Sequence, residues 1–354
     1  MKILMVTPYV PYPPSSGGQI RTFNLLKHLS QSNEITLVAL YKNQKEKDYY
    51  SYLKNFCKKI YLCQRPEKPW VFKNILPHIP KTNTPIVLVE QTIEYNVYKH
   101  FVNSLPFYLR MLVYFDIDII KLRYWERFYW KKANIVVAVS SPDEKIIKNE
   151  EEEIKTSVIP NGAGDEMIVL SLEKKDLKKP VVFFQGNFFW LQNVEAAKFL
   201  INKIYPLLIK NNPNINVVIA GQNAGKIGEV NFKKIKIVDI SSDDTQKVKK
   251  LFREADLFIA PIFGPGGTRL KILAAMGSGI PVISTETGVE GLDVTNNSHV
   301  LTAKSPSQFV EKIENILRDK RNYEKIRSNA LSLVKNKYQW QGIANKLETV
   351  YKNL

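Results

Sequence analysis

Short apolar runs alternate with stretches of helical periodicity along the whole chain. Runs with the length of a buried strand occupy 2–6, 35–40, 58–62, 85–90 and 134–139, and then 181–184, 216–221, 235–238, 257–260 and 281–284. Between them, apolar residues recur every three or four positions, as at Ile20, Phe23 and Leu26, which predicts amphipathic helices. Strands and helices in this alternation predict an α/β fold with doubly wound parallel sheets.

The stretch from 256 to 291 shows the alternation most clearly. Leu257 to Ala260 is a predicted strand, Gly266 and Gly267 lie in the loop after it, and Thr268 is predicted to open a helix. The first N–H groups of a helix have no intrahelical partner and lie at the positive end of its dipole. Because the glycines place no side chains in the way, this loop predicts a phosphate or diphosphate site.

Two cations, Arg269 and Lys271, fall in the first turn of the predicted helix. A cation at this end of a helix costs roughly 0.3–1 kcal/mol. Their position indicates that they bind an anion placed there, and we interpret them as the candidate catalytic residues. The alternative is that they are two solvated residues in a basic chain.

The motif G-G-T-R-L-K-I-L-A-A-M-G-S-G-I-P-V-I-S-T, followed by G-V-E-G-L, resembles the donor-binding segment of GT-B-fold glycosyltransferases of family 4. Those enzymes are retaining and use nucleotide sugars. The resemblance covers nearly the whole chain and implies two Rossmann-like doubly wound domains that face a central cleft. It implies an acceptor-side domain at 1–170, a nucleotide-sugar-binding domain at 178–337, and a C-terminal helix at 339–354 that crosses back to the first domain.

The resemblance also implies donor contacts outside the predicted helix. Gly17 and Gly18 occupy the first loop, which approaches the donor across the cleft in this family, although tight turns also use glycine for geometry. Gly186 and Asn187 follow the strand at 181–184, where many members place an Arg and a Lys to hold the diphosphate. The two cations of the predicted helix are expected to take over that charge.

Two departures from the family pattern concern its pair of glutamates, which align here with Gly266 and Ala274. Loss of the second glutamate, which binds the ribose, would cost about 1.5–3 kcal/mol unless another acid replaces it. Glu290 and Glu286, on the loop after the next strand, are the candidates by topology.

On the acceptor side, Gln91 stands where related enzymes carry a histidine near the sugar. A glutamine can hydrogen-bond a hydroxyl but cannot act as a general base. Glu94, three residues further, is either an acceptor contact or an acid favoured at a helix start.

The charge balance is strongly basic, with 51 Lys and Arg against 34 Asp and Glu and a net charge of +17. Such a chain is drawn to anionic surfaces. The sequence has no zinc finger, RNP-like motif or basic zipper, so an anionic membrane or a phosphate-bearing lipid acceptor is expected rather than nucleic acid. The aromatic and basic stretch 106–132 either lies against lipid headgroups or packs across the first sheet.

The apolar start breaks at Pro8, no run approaches the ~18 residues of a membrane span, and the two cysteines form no disulfide framework. A cytoplasmic location is therefore expected, with peripheral contact at the inner face of the membrane. No cofactor is expected beyond the nucleoside-diphosphate sugar as substrate.

These observations predict a retaining, metal-independent transfer of a sugar from a nucleoside diphosphate to a glycan or lipid-linked acceptor. Because of Ala274 and Gln91, the alternative is a non-catalytic GT-B-like subunit that binds a glycan or a partner enzyme.

Overall fold

The computed structural model describes residues 1–65, 83–108, 115–169, 171–242, 244–264 and 269–354. Three predicted donor-binding residues, Gly266, Gly267 and Thr268, lie outside these ranges. Residues 1–162 form what we call the N-terminal half, and residues 163–338 form the C-terminal half.

All paired strands in the described ranges run parallel, as the alternation predicted. The N-terminal half has two three-stranded sheets, β1-β2-β3 and β4-β5-β6, and the C-terminal half has a six-stranded sheet of order β12-β11-β10-β7-β8-β9. The strands are β1 Lys2–Thr7, β2 Glu34–Tyr41, β3 Lys59–Gln64, β4 Val87–Glu90, β5 Ile135–Ala138, β6 Thr156–Val158, β7 Val181–Gln185, β8 Asn216–Gly221, β9 Ile235–Asp239, β10 Leu257–Ala260, β11 Val282–Ser284 and β12 Leu301–Thr302.

Helices connect the strands in the order expected of a doubly wound fold. They are α1 Gly17–Leu29, α2 Gln44–Asp48, α3 Tyr50–Leu53, α4 Glu94–Ser104, α5 Phe115–Lys132, α6 Ser141–Glu150, α7 Leu191–Phe199, α8 Tyr205–Asn211, α9 Thr245–Glu254, α10 Leu270–Gly277, α11 Glu286–Val289, α12 Pro306–Arg318, α13 Lys320–Lys337 and α14 Trp340–Lys352. A short 3-10 helix, Asp165–Met167, lies at the start of the C-terminal half.

Side-chain caps fix several helix starts. Ser16 caps α1 in a reciprocal capping box with Gln19, and Ser305 caps α12. Helix α6 is capped by Ser140, whose hydroxyl accepts from the N–H of Asp143. Such caps stabilise a helix by about 1 kcal/mol each.

The central strands β10 and β11 of the six-stranded sheet are buried on both faces, as their continuous apolar runs indicate, whereas the edge strand β9 is partly exposed. Phe183 of β7 meets Phe258 of β10 and Phe252 of α9 at ring-centroid distances of 5.8 and 5.0 Å. All three rings are buried. This rigid layer holds the loops at the carboxyl ends of β7 and β8, where the cleft lies.

Helix α14 completes the core of the N-terminal half, as the resemblance implied. Trp340, Ile343 and Leu347 are buried in one apolar cluster with Leu26 and Leu29 of α1. The chain thus passes from the C-terminal half back to the first sheet.

Helix α5 packs against β4 and α6 in the N-terminal half. Trp130 is fully buried, while Arg123 and Arg127 pair with Glu150 and Glu151 at 2.7 and 2.6 Å. The acidic run at the end of α6 thus neutralises part of the basic face of α5. In the part of the chain that the structure describes, no helix is long and apolar enough to cross a bilayer.

Candidate donor cleft

A cleft of about 340 Å³ opens between the two halves. Its floor is formed by the ends of β7 and β8 and by helices α9 and α10, and the loop Pro14–Gly17 of the N-terminal half faces it. Gln222, which follows β8, donates across the cleft to the backbone carbonyl of Ser15 at 3.1 Å. Ligands of doubly wound folds bind at such carboxyl ends of parallel strands.

The phosphate end of the cleft is marked by the start of α10. The helix begins at Leu270, two residues later than predicted, so that Arg269 occupies the cap position and Lys271 the first turn. Arg269 has a non-helical ψ of 89° and makes no side-chain cap hydrogen bond. The structure therefore places both predicted cations beside the unpaired N–H groups of the helix start.

The Lys271 side chain is half-buried in the wall of the cleft. Its Nζ donates to the Asn193 amide oxygen at 2.5 Å and sits 5.2 Å from the centroid of the Phe184 ring. Burial lowers the pKa of Lys271 to about 7, and the charge of Arg269 acts in the same direction. An anion in the cleft would supply the opposite charge that this ammonium lacks.

Arg269 stands between the main cleft and a smaller cavity of about 80 Å³ on the N-terminal side. Its Nη2 donates to the carbonyl of Gly264 at 2.6 Å, and its buried Nε has no hydrogen-bond partner among the described residues. Burial lowers the pKa of Arg269 to about 10, opposed by Glu290 and Asp143. Arg269 thus has donor capacity left for a ligand.

Gly186 and Asn187 lie in the cleft wall, as expected, but their contacts are internal. The carbonyl of Asn187 accepts from the Asn193 amide at 2.7 Å, and the Asn187 amide donates to Gln222 at 3.0 Å. A Cβ on Gly221 would lie 1.8 Å from the carbonyl oxygen of Gly186. Gly186 and Gly221 therefore allow the ends of β7 and β8 to approach each other. The bond to the Asn187 carbonyl orients the Asn193 amide, whose oxygen accepts from Lys271.

The two glycines of the first loop differ in their surroundings. Gly17 lines the cleft, and a Cβ there would be in ordinary contact with Leu270 at 3.6 Å. A Cβ on Gly18 would lie 2.6 Å from the Tyr9 hydroxyl and 2.8 Å from the Gln91 amide oxygen. Gln91 also donates to the Tyr9 hydroxyl at 3.0 Å, so it contacts the first loop rather than the cleft floor.

Glu290 lies apart from Ala274, the residue whose missing carboxylate it was expected to replace. Ala274 lines the main cleft, whereas Glu290 lines the smaller cavity together with Thr92, Asp143 and Arg269. Glu286 is also turned elsewhere, since it pairs with Lys304 at 3.2 Å. Glu290 is therefore placed to contact the Arg269 side of a ligand.

Glu94 begins helix α4 and is exposed. Its backbone N–H donates to Glu126 of α5 at 2.6 Å, so a carboxylate from another helix caps α4. Burial raises the pKa of Glu126 to about 7, and burial together with nearby carboxylates raises that of Glu90 to about 7 despite its hydrogen bond from Trp130. Glu90 is two residues from Thr92, which lines the smaller cavity.

Several residues of the cleft were not found from the sequence. Glu166 of the short 3-10 helix, Ser241 and Ser242 after β9, and Lys249 of α9 all line it. Topology could have identified Ser241, because it follows a predicted strand and the carboxyl ends of parallel strands meet at one edge of a sheet. Within the described ranges, no group of three or more His, Cys, Asp or Glu is arranged to hold a metal ion.

Solved structures define the class of fold. HepE from Anabaena, in a complex with UDP and glucose, superposes with a TM-score of 0.67 at 13% identity, covering 100% of both chains. WaaG, a glycosyltransferase involved in lipopolysaccharide biosynthesis, gives a TM-score of 0.68 at 13% identity, covering 99% of each chain. The predicted GT-B fold is therefore confirmed.

The sequence comparisons narrow the class. Residues 179–319 match the family model of glycosyl transferases group 1. A Klebsiella pneumoniae protein described as an uncharacterized 44.6 kDa protein in the cps region is 26% identical over 374 aligned residues, 95% of this chain and 96% of its own. The C-terminal half thus carries a glycosyl transferases group 1 domain, which indicates a glycosyltransferase.

Proposed function

We propose that the protein is a retaining glycosyltransferase that moves a sugar from a nucleoside diphosphate to a glycan or lipid-linked acceptor. The observation that carries this proposal is Lys271, a desolvated ammonium at a helix start inside the cleft. A diphosphate placed there would meet two cations and the positive end of the α10 dipole.

In this mechanism the chain stabilises the leaving group. The acceptor oxygen forms the new bond to the anomeric carbon on the face that the diphosphate leaves, and the bond from that carbon to the diphosphate oxygen breaks with its electron pair on the oxygen. The proton of the acceptor hydroxyl passes to this departing diphosphate oxygen. Lys271 and Arg269 would neutralise the charge that develops on the diphosphate, which is worth several kcal/mol in a site that excludes water. Charge neutralisation by these two residues is why we propose a metal-independent reaction.

The acceptor and location are proposed from the surroundings of the cleft. The smaller cavity joins Arg269 to Thr92 and Asp143 of the N-terminal half, so an acceptor hydroxyl would approach from there. The net charge of +17 favours an anionic lipid or membrane face over a neutral one. A glycan carried on a lipid at the inner face of a membrane fits both observations. The names of two similar proteins, one in a cps region and one involved in lipopolysaccharide biosynthesis, also support such an acceptor.

Binding of nucleotides is the first test. UDP, GDP and dTDP would be titrated by calorimetry without metal and then with magnesium. One of them is expected to bind without metal and to lose about tenfold or more in affinity in Lys271→Ala, because a charge-assisted contact is lost. If none binds the wild-type protein at millimolar concentration, the transferase proposal is wrong.

The stereochemistry needs a separate experiment. The sugar nucleotide that binds would be mixed with an alcohol acceptor, and the first product formed would be examined by proton NMR. Its anomeric carbon is expected to have the same configuration as in the donor. The inverted configuration would contradict the retaining assignment and leave the transferase assignment intact.

A non-catalytic subunit that binds a glycan or a partner enzyme is the second candidate. Ala274 and Gln91 favour it, because each replaces a side chain that the resemblance associates with donor or sugar binding. This candidate is supported if a nucleotide binds but no labelled sugar is transferred or hydrolysed.

A further inference from the structure

The cleft offers no carboxylate on the α10 helix itself. Lys271 marks the diphosphate end, and Ala274 lies three residues further along the same helix, about 4.5 Å by the rise of an α-helix. If the proposed function holds, the group next to the diphosphate, the ribose, lies beside Ala274. A methyl group cannot accept hydrogen bonds from the two ribose hydroxyls.

Two carboxylates line the cleft among the described residues, Asp244 and Glu166. Asp244 is already engaged as the cap of α9, where its Oδ1 accepts from the N–H of Lys247 at 3.0 Å. Glu166 has no such role. Its contact is a loose ion pair of 3.9 Å with Lys249, and 54% of its side chain is exposed.

The backbone that carries Glu166 is fixed on both sides. The preceding residue, Asp165, accepts from His28 of α1 at 3.0 Å and from Lys27 at 3.4 Å. The following residue, Met167, accepts at its carbonyl from the Ser278 hydroxyl at 3.3 Å, just past the end of α10. The short 3-10 helix therefore packs against the same helix that carries Ala274, and Glu166 lines the cleft.

We infer that Glu166 replaces the missing carboxylate and binds the 2′- and 3′-hydroxyls of the donor ribose. A carboxylate has two acceptor oxygens, which match two vicinal hydroxyls. Lys249, whose side chain is 21% exposed and which also lines the cleft, lies 3.9 Å from the Glu166 carboxylate and so places a positive charge beside it. In this protein the ribose is thus bound by the first segment of the C-terminal half and not by the donor helix.

The inference is tested with matched ribo- and deoxyribonucleotides. UDP and 2′-deoxy-UDP, and GDP and 2′-deoxy-GDP, would be titrated into wild type, Glu166→Ala and Glu166→Gln. The wild type is expected to prefer the ribonucleotide about tenfold or more. Glu166→Ala should lose about ten- to a hundredfold for the ribonucleotide and clearly less for the deoxy form, which offers the carboxylate only its 3′-hydroxyl. Glu166→Gln should fall between them, because one oxygen acceptor remains.

Glu173→Ala is the matched control, since Glu173 lies in the same connecting segment and is exposed outside the cleft. It should bind both nucleotides as the wild type does, and thermal unfolding would verify that each variant is folded. Unchanged ribose preference in Glu166→Ala, or equal losses for both nucleotides, would overturn the inference while the proposed function stands. Absence of any nucleotide binding by the wild type would instead remove the proposed function, and the inference with it.

Discussion

The environment of Lys271 predicts that donor binding is coupled to the uptake of a proton. Its ammonium is desolvated beside the ring of Phe184, and its pKa is about 7 because of burial and the charge of Arg269. A diphosphate bound at the start of α10 would stabilise the charged form and raise this pKa again. Donor binding above neutral pH should therefore take up a proton from solvent.

The size of the effect depends on the pKa of about 7 for Lys271. At pH 8 about one molecule in ten carries the proton before binding, so about 0.9 proton should be taken up per nucleotide bound. The dissociation constant should then rise about tenfold between pH 8 and pH 9. The terminal phosphate of the nucleotide, with a pKa of about 6, is already ionised in this range and contributes little.

Calorimetry in buffers of different ionisation enthalpy measures this uptake directly. At pH 8 the observed heat, plotted against the ionisation enthalpy of Tris, tricine and HEPES, should give a slope of about 0.9. Lys271→Ala should bind more weakly, with heats that do not depend on the buffer. Lys247→Ala removes a lysine of α9 that does not line the cleft and should keep the wild-type slope.

A slope of zero for the wild type, with tight nucleotide binding, would contradict this prediction. Lys271 would then be charged before the donor arrives, and the desolvated environment would not govern its titration. A slope of zero in Lys271→Ala alone is the expected result, because that variant lacks the titrating group.

Three further substitutions concern stability. Gly221→Ala should lower the free energy of unfolding by about 2 kcal/mol or more, because its φ is 148° and the new Cβ would overlap the Gly186 carbonyl. Gly225→Ala, with nothing within 4 Å of the added Cβ, should stay within about 1 kcal/mol of the wild type in the same urea titration. Glu90 has a pKa of about 7 in the folded protein against 4.5 for the free side chain, so its favourable contribution, present below pH 4.5, is lost as the pH rises through 7. Glu90→Gln, which can still accept from Trp130, should therefore gain about 2–3 kcal/mol relative to the wild type between pH 5 and pH 8, and equal pH profiles of the two proteins would contradict this.

Strand positions were predictable from the sequence because buried strands carry unbroken apolar runs. The strand Leu257–Ala260 lies where the pattern placed it. The stretch after β2 forms the two short helices α2 and α3, which are joined at Tyr49. Apolar spacing cannot show such a break, because Tyr49 is compatible with both arrangements.

The site was predictable where one local segment builds it and not where distant segments meet. Arg269 and Lys271 were found because loop and helix adjoin in the chain. The hydrogen bond between Lys271 and Asn193 joins residues 78 positions apart, and Glu126 caps a helix 32 residues away. These contacts depend on how the layers pack, which no local pattern encodes.

The carboxylate that replaces the one missing at Ala274 could not be identified from the sequence for the same reason. Topology along the chain favoured Glu290, which the structure places in the smaller cavity beside Arg269. Glu166 lies in a polar connecting segment with no periodicity. Its position is set by the Met167 carbonyl, which accepts from Ser278 just past α10, and by Asp165, which accepts from His28 of α1. A functional residue of this kind becomes visible only when the two halves are seen together.

The packing of α14 on the N-terminal half has a consequence for how the chain folds during translation. Trp340, Ile343 and Leu347 belong to the apolar cluster built by α1 and β2, more than 300 residues earlier in the chain. During translation the first half therefore emerges with an open hydrophobic seam, which closes once α14 has left the ribosome. The C-terminal half has no such dependence, since its core is formed by residues 163–338. Vectorial synthesis would thus complete the second half first, and the nascent N-terminal half would need protection from aggregation until α14 has emerged.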